Sequence, residues 1–256
     1  MKKIKWYWKK FGTTRFGKTL KTYFGLDDAI AFVSLLLGLL YYLFPFDSQF
    51  FVDFHSELIS IGITVLILGN ANQYMTRKVE KQRLVQQMGS TDNGFAFEAA
   101  RLLKQNGWLS DGTLRNADFI GANLDQAPLD EAFLVEADLS VVNLRFASLS
   151  YANLTNSVME SVDLYGAYLN DTNLTGANLS EADATGADFQ YACLNNANLS
   201  RVHFEGANLE CISYNENTIW EGATFTTGED GTKFPKNFDP IQKGMICVDN
   251  NEKPTE

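Results

Sequence analysis

The sequence contains little proline, cysteine or histidine: five, three and two of its 256 residues. So little proline excludes a collagen-like chain. Cys193, Cys211 and Cys247 form no CxxC pair, and only His55 and His203 could add nitrogen ligands. We therefore expect neither a disulfide framework nor a structural zinc site. A hydrophobic content of 45% excludes a disordered chain.

Basic residues are scarce in the second half of the chain. Residues 1–108 hold 14 Lys and Arg against 8 Asp and Glu, whereas residues 109–226 hold 3 against 17. Aromatic residues are also concentrated, since 15 of 33 lie within the first 55 positions. This asymmetry predicts a membrane-facing N-terminal end and a water-facing acidic part.

Two uncharged stretches predict an α-helical transmembrane hairpin over residues 27–76. Ala29–Phe46 would span about 27 Å as a helix, close to the hydrocarbon thickness of a bilayer. Leu58–Thr76 is a weaker span, because its strongly apolar part ends near Leu68. An interfacial or buried helix is the alternative for this second stretch.

The charged flanks of the two stretches predict their orientation. Eight Lys and Arg precede the first stretch, four follow the second, and the loop between them carries only acidic charge. The positive-inside rule then predicts a multi-pass membrane protein, with both termini cytoplasmic and a short acidic external loop. Lysines alternate with aromatic rings in the N-terminal segment, residues 1–26. We therefore expect residues 1–24 to bind anionic lipid headgroups rather than nucleic acid.

One stretch matches the phosphate-binding P-loop motif GxxxxGK[ST]. Gly12–Thr19 has the required letters, but the residues before it are too charged for a central strand. No apolar strand ending in Asp follows to hold Mg²⁺. We expect the match to be a coincidence and predict no cofactor.

Residues 77–108 predict a cytoplasmic helical connector and cap. Asp92 or Asn93 can cap a new helix, and Phe95, Ala99 and Leu102 would form its apolar stripe. Gly107 fits the left-handed position at its C-terminal end. We expect this helix to cover the open end of the array that follows; a plain linker helix is the alternative.

A five-residue repeat occupies residues 109–226. Every fifth position from Leu114 to Leu209 is Leu in 15 of 20 cases, and the position two residues earlier is Ala in 14. The position between them is Asp or Asn in 12 cases, and we expect these side chains to bond to the backbone of their own turn rather than to a ligand. A period of five matches neither an α-helix nor a strand, so only a coil that turns every five residues keeps the large residues inside.

This pattern resembles the pentapeptide-repeat family, whose repeat is A(D/N)Lxx. The Gln87–Ser90 and Phe234–Pro240 flanks are also similar to those of membrane-bearing bacterial members, which implies a location in the bacterial inner membrane. The resemblance implies an all-β solenoid: a right-handed quadrilateral β-helix with 20 residues in each coil.

Residues 20 apart should then stack in columns. Ala184 should be compensated by the large side chains of Phe189 and Phe204. We expect glycines at the corners and local bulges where Val, Ser or Thr replaces the small Ala.

The sequence predicts a protein that binds rather than catalyses. No Ser or Cys has a His within a plausible constellation, and we identify no catalytic, cofactor-binding or metal-binding residue. We expect a membrane-anchored protein–protein interaction scaffold at the cytoplasmic face, with an unknown protein partner on the β-helix walls. The alternative is an acidic DNA mimic that modulates a type II topoisomerase, as some family members are. Residues 227–256 are expected to be a C-terminal tail.

Overall fold

A computed structural model describes residues 49–248, without the side chains of residues 49–59 and 61. Helix α1 covers Gln49–Met88 and α2 covers Asn93–Gln105, followed by strands β1, Thr224–Phe225, and β2, Ile246–Cys247. The chain divides into two compact units at Val79 and Glu80. The first predicted span, the basic N-terminal segment and the P-loop-like motif lie outside the described residues.

The second predicted membrane span lies within helix α1. The helix itself is present, but no helix in the described part of the chain is long and apolar enough to cross a membrane. The predicted hairpin is therefore not supported. The polar residues Asn70, Asn72 and Gln73 follow the apolar stretch, whose strongest part ends near Leu68. They shorten it below the length that a bilayer requires.

Residues 114–225 form a coil whose successive turns pair in parallel. Bridges join residues 20 positions apart, for example Asp118 to Asp138 and Asp138 to Val158. Four such columns define four walls, which we number by their first bridge residue: wall 1 from Asp118, wall 2 from Asn123, wall 3 from Pro128 and wall 4 from Phe133. The structure is thus a quadrilateral β-helix, as the resemblance to the pentapeptide-repeat family implies.

The chain turns a corner after every large inward residue. The second residue after each inward residue has a positive φ at 20 consecutive corners, from Asn116 to Cys211. Nineteen of these corners, from the one after Leu114 to the one after Phe204, are closed by a bond such as Ala117 N–H to Leu114 O, 3.2 Å, as in a type II turn. Only five of the 20 are glycine, so the glycines predicted at corners mark a minority of them. The other corners hold L-residues in the left-handed region because the stacked coils fix them there.

The interior is filled by two layers of side chains. The large residues and the small residues two positions earlier are almost all fully buried. One inward column consists of Leu124, Leu144, Leu164, Ala184 and Phe204. Its smallest member, Ala184, lies next to the large Phe204 ring, as predicted. Phe189 and Phe204 fill the space around Ala184, and their ring centroids are 5.8 Å apart with the rings nearly perpendicular.

The bulges expected at replacements of the small Ala are absent between residues 114 and 225. Ser157 and Thr172 are buried, and their hydroxyl groups donate to the carbonyls of Leu154 and Leu149. Val142 keeps the regular ladder, since its carbonyl accepts from Asp163 N–H at 3.0 Å. The polar replacements fit because each hydroxyl finds an acceptor inside the wall.

Helix α2 closes the N-terminal end of the coil, as predicted. Asp92 is its N-cap and accepts from Phe95 N–H, and Gly107 has φ +69° at its C-terminal end. The predicted apolar stripe is wrong in register, because Phe95 is 62% exposed and Leu102 only half-buried. The face packed on the core consists of Ala96, Ala99, Ala100 and Leu103.

The coil continues beyond residue 226, into the segment expected to be a tail. Asn208 bridges to Lys233, and β1 pairs in parallel with β2, Thr224 opposite Ile246. The insertions that precede these pairings lengthen the spacing from 20 to 25 and 22 residues. The aromatic rings of Tyr214, Trp220 and Phe238 then close this end.

Candidate protein-binding surface

The Asp and Asn residues of the repeat serve the corners of the coil. All 12 accept a hydrogen bond through Oδ1 from the backbone N–H two residues later, as Asp138 does from Ser140 at 3.0 Å. Five of the 12 are Asp and seven are Asn. Because Oδ1 of either residue accepts equally, the fold requires the acceptor and not the charge. This confirms the structural role predicted for these side chains.

The exposed aromatic residues of the repeat are concentrated on one side. Every exposed aromatic ring within residues 109–226 lies on wall 3 or on one of the two edges that border it. Phe146 and Tyr165 lie on the edge between walls 2 and 3, and Tyr168 lies at the centre of wall 3. Tyr151 and Tyr191 lie on the edge between walls 3 and 4. Sequence reasoning missed this clustering, although the 20-residue period could have revealed it.

The edge between walls 2 and 3 is an ordered aromatic cluster. The rings of Phe146 and Tyr165 meet edge to face, with centroids 5.5 Å apart. A Cβ atom on Gly166 would lie 2.6 Å from the Phe146 ring, so only glycine lets that ring fold over the next coil. The Arg145 guanidinium lies 4.3 Å from the Tyr165 ring centroid and 3.3 Å from the Asp163 carboxylate. A cation is thus held between a ring and an acid.

The opposite edge alternates acidic and aromatic residues. Its left-handed positions, one in each coil, are Glu131, Tyr151, Asp171, Tyr191 and Cys211. All five are exposed. We call this column the 3–4 edge. Successive members are about 4.8 Å apart because they lie on neighbouring coils.

Wall 3 and its two edges carry a strong negative charge. The acidic residues are Asp125, Asp130, Glu131, Asp171, Asp188, Glu205 and Glu210, against the two bases Arg145 and Lys233. At the 3–4 edge, the pKa of the Tyr191 phenol is raised by the neighbouring Cys211 thiol and, more weakly, by Asp171 and Glu210. The phenol therefore stays protonated at neutral pH.

Asp130 connects this wall to the capping helix. Its carboxylate pairs with Lys104 Nζ at 2.5 Å and accepts from the Ser148 hydroxyl. Partial burial alone would raise the pKa of Asp130, but the hydrogen bonds from Lys104 and Ser148 outweigh that effect and lower it.

The remaining candidate groups are separate from one another. His203 is exposed on wall 2, beside Thr224 and Glu205. Cys193 is half-buried on wall 4, where burial would raise the pKa of its thiol but hydrogen bonds with Ser213, Thr175 and Asn195 lower it overall. In the described part of the chain, no group of three or more His, Cys, Asp or Glu residues could hold a metal ion.

Comparison with known proteins identifies the repeat. The family profile described as pentapeptide repeats matches in eight copies, over residues 105–134, 129–160, 137–176 and 163–201. This match supports the right-handed quadrilateral β-helix of that family. No curated protein matches the chain.

Several solved structures are similar to the repeat. A pentapeptide repeat protein from the Arabidopsis thaliana thylakoid lumen is 34% identical over 36% of this chain and 63% of its own, with a TM-score of 0.34. Rfr23 from the cyanobacterium Cyanothece 51142 is 31% identical over 42% and 63%, with a TM-score of 0.21. The chain thus spans less than two thirds of either protein. QnrB1, a plasmid-mediated fluoroquinolone resistance protein, is 14% identical over 52% and 83%, with a TM-score of 0.20.

Proposed function

Because the chain is a pentapeptide-repeat protein, we propose that it is a non-catalytic scaffold whose β-helix walls bind a protein partner at the cytoplasmic face of a membrane. The observation that carries the proposal is the uneven outer surface. The exposed aromatic residues of the repeat lie on one wall and its edges, whereas the large apolar side chains exposed elsewhere on the described repeat are aliphatic: Ile120, Val141, Val158 and Ile219. Aromatic residues are enriched at protein interfaces, where they bury large areas at a low entropic cost.

The packing of the coil supports binding rather than catalysis. Enzyme sites are usually concave, and they bring several polar groups together around a substrate. The interior of this coil is occupied by its own leucines and alanines. The regularly placed Asp and Asn side chains bond to the corners beside them. What remains for function is the flat exterior, as in other repeat proteins.

The membrane location rests on the sequence. Ala29–Phe46 is long enough to span, and basic residues precede it and follow Thr76. A reporter fused after residue 256 would test the side on which the β-helix lies. We expect it to be cytoplasmic, because basic residues also follow Thr76. An external reporter would mean that the β-helix faces the opposite side of the membrane.

The DNA-mimic alternative is less well supported. A mimic of duplex DNA needs acidic groups aimed outward in a regular array, as phosphates are. Here the regularly spaced carboxylates accept hydrogen bonds from their own corners, and seven of the 12 equivalent positions carry neutral Asn. We expect no salt-sensitive inhibition of a type II topoisomerase by this protein.

The binding proposal is tested by purifying the full-length protein from the membranes of its own cells. We expect a specific partner to be enriched with the wild-type chain. Asn178→Asp should leave the enrichment unchanged, because Asn178 lies on wall 1, opposite wall 3, and an Asp Oδ1 can still accept from Ser180 N–H. If no protein is enriched reproducibly above an unrelated membrane control, the scaffold function is wrong.

A further inference from the structure

We infer that the 3–4 edge, together with wall 3, binds an extended, arginine-rich segment of a partner protein. This inference rests on the proposed scaffold function and specifies its surface and the chemistry of its partner. The carrying observation is the alternation of acidic and tyrosine residues along the edge, one in each coil. Glu131, Tyr151, Asp171 and Tyr191 are all exposed, and Tyr151 and Tyr191 expose 66% and 56% of their surface.

The chemistry of such an edge suits a guanidinium group. A cation over a tyrosine ring is attracted by the negative face of the ring, and a nearby carboxylate adds a charged hydrogen bond. Arginine suits both interactions better than lysine, because its planar group can stack and bind a carboxylate through two N–H groups. Within residues 49–248, neither Glu131 nor Asp171 pairs with a lysine or an arginine.

The protein already contains one example of this arrangement. At the opposite edge of wall 3, Arg145 lies over the Tyr165 ring and contacts the Asp163 carboxylate. Tyr165 and Asp163 are two residues apart, and both lie on the coil that follows the coil of Arg145. The 3–4 edge repeats the same pair of groups from adjacent coils, but without an arginine of the described chain between them. A basic partner would supply the missing cation.

Charge on the surrounding surface favours the same partner. Asp188 and Glu210 lie near the edge, whereas Asp130 is already paired with Lys104. The two bases of wall 3 and its edges are Arg145, which is paired with Asp163, and Lys233. An acidic partner would be repelled, and an apolar partner would leave the carboxylates without water or a cation. Electrostatic complementarity should therefore determine which segments bind.

The spacing of the edge suggests a suitable probe. Equivalent groups recur every second coil, about 9.6 Å apart. A polyproline II chain rises about 3.1 Å for each residue, so every third side chain recurs after about 9.3 Å. A peptide of four Arg-Pro-Pro repeats would therefore present arginines at the spacing of the two tyrosines. The same peptide with glutamine in place of arginine keeps the backbone and removes the charge.

The substitutions can be chosen so that the coil is preserved. Asn occupies the equivalent left-handed corner position at Asn116, Asn156 and Asn196. Tyr151→Asn and Tyr191→Asn thus place at each corner a residue that the chain already uses there, and one that tolerates positive φ. Asp171→Asn removes the charge between them. A matched control on the edge between walls 1 and 2 is Val141→Asn with Glu160→Gln, since Val141 is also exposed and has φ 58°.

Binding of the two peptides to the full-length protein tests the inference. We expect the arginine peptide to bind, to weaken steeply as salt rises, and to lose about tenfold or more of its affinity in the triple variant Y151N/Y191N/D171N. The V141N/E160Q variant should bind as the wild type does. Equal binding of the glutamine peptide, or equal binding by the triple variant and the wild type, would overturn the inference.

The same variants separate this inference from the scaffold function. If the triple variant still enriches the native partner from membranes as the wild type does, the partner binds elsewhere and the 3–4 edge is wrongly assigned. If the triple variant loses the partner while V141N/E160Q keeps it, the edge is the binding surface. If even the wild type enriches no partner, the failure lies with the scaffold function.

Discussion

The N-terminal end of the β-helix is closed by an α-helix, whereas its C-terminal end is closed by aromatic rings and further chain. At the first end, helix α2 places the small side chains of Ala96, Ala99 and Ala100 on the core. At the other end, the rings of Trp220 and Phe238 pack with centroids 5.1 Å apart. Both ends must cover the same apolar interior. One uses close approach of a backbone, and the other uses large side chains.

The exposed backbone groups of the two ends are also satisfied differently. At the N-terminal end, the N–H groups of Asn123 and Phe133 donate to the carbonyls of Ser90 and Leu109, which precede the array. Pro128 lies in the same first coil. Proline has no backbone N–H to donate. Because no coil precedes the first one, no ladder hydrogen bond is lost there, and proline destabilises the fold little. At the C-terminal end the ladder continues through β2, where Ile246 N–H donates to Ala223 at 2.8 Å.

The middle coils provide the reference for both ends, and a substitution there should cause the largest loss of stability. Leu154→Asp would place a carboxylate in a dry column between Leu134 and Leu174, and an unpaired buried charge costs several kcal/mol. Because stacked coils stabilise their neighbours, the loss should spread to both ends. Chemical denaturation of the full-length protein, followed by circular dichroism, should show a large loss of stability.

Asn153→Asp is the matched control for this substitution. It lies one residue earlier, and its Oδ1 still accepts from Thr155 N–H. We expect its unfolding midpoint to stay close to that of the wild type. If the two variants unfold alike, the assignment of inward and outward positions is wrong.

Truncation of one anchor at each end compares the two caps directly. We expect Trp220→Ala to cost about 3–5 kcal/mol and Leu103→Ala about 2–5 kcal/mol of unfolding free energy, since both leave a cavity in the core. Ile241→Ala and Phe95→Ala are the controls at the respective ends. Both side chains are 62% exposed, so each change should cost little. A large loss from Phe95→Ala would restore the stripe predicted from the sequence.

The sequence predicted the repeating part of the fold better than its ends. The five-residue period identifies the inward column and the Asp or Asn corner acceptors, because each repeat has the same surroundings as its neighbours. The helix face was predicted in the wrong register, since the bulky Phe95 and Leu102 outweighed three alanines in the pattern. Close packing on the first coil requires small residues there. The pairing of Ile246 with Thr224 has no repeat signal, because insertions separate the two segments.

The exposed aromatic residues of wall 3 and its edges are an intermediate case, since only part of their arrangement could be predicted from the sequence. The positions of its residues follow from the period, because Tyr151 and Tyr191 are 40 residues apart and therefore share an edge. The approach of Phe146 to Gly166 does not follow from it, since it depends on a side-chain conformation that crosses between coils. The identity of the partner is not encoded in the repeat, because the fold tolerates many residues at the outward positions.

The smallest expected effect is a pH-dependent link between the N-terminal cap and the coil. Lys104 on α2 pairs with Asp130 on the first coil, and the pKa of Asp130 is lowered from 3.8 in the folded protein. A lowered folded-state pKa stabilises the fold above the unfolded-state pKa, and this stabilisation is lost as pH falls through the folded value. At pH 7 we expect Asp130→Asn to cost less than about 1 kcal/mol, since the pair is partly exposed.

Unfolding free energies of the wild type and the Asp130→Asn variant, measured from pH 7 to pH 3, should differ by a constant amount near neutral pH and by less as pH falls below 3.8. Lys104→Met removes the other partner and should reproduce most of the loss at pH 7. The double variant should then cost less than the two single losses added together, because both act on one ion pair. A cost of Asp130→Asn that stays constant down to pH 3, and that adds fully to the cost of Lys104→Met, would mean that this ion pair does not stabilise the folded protein.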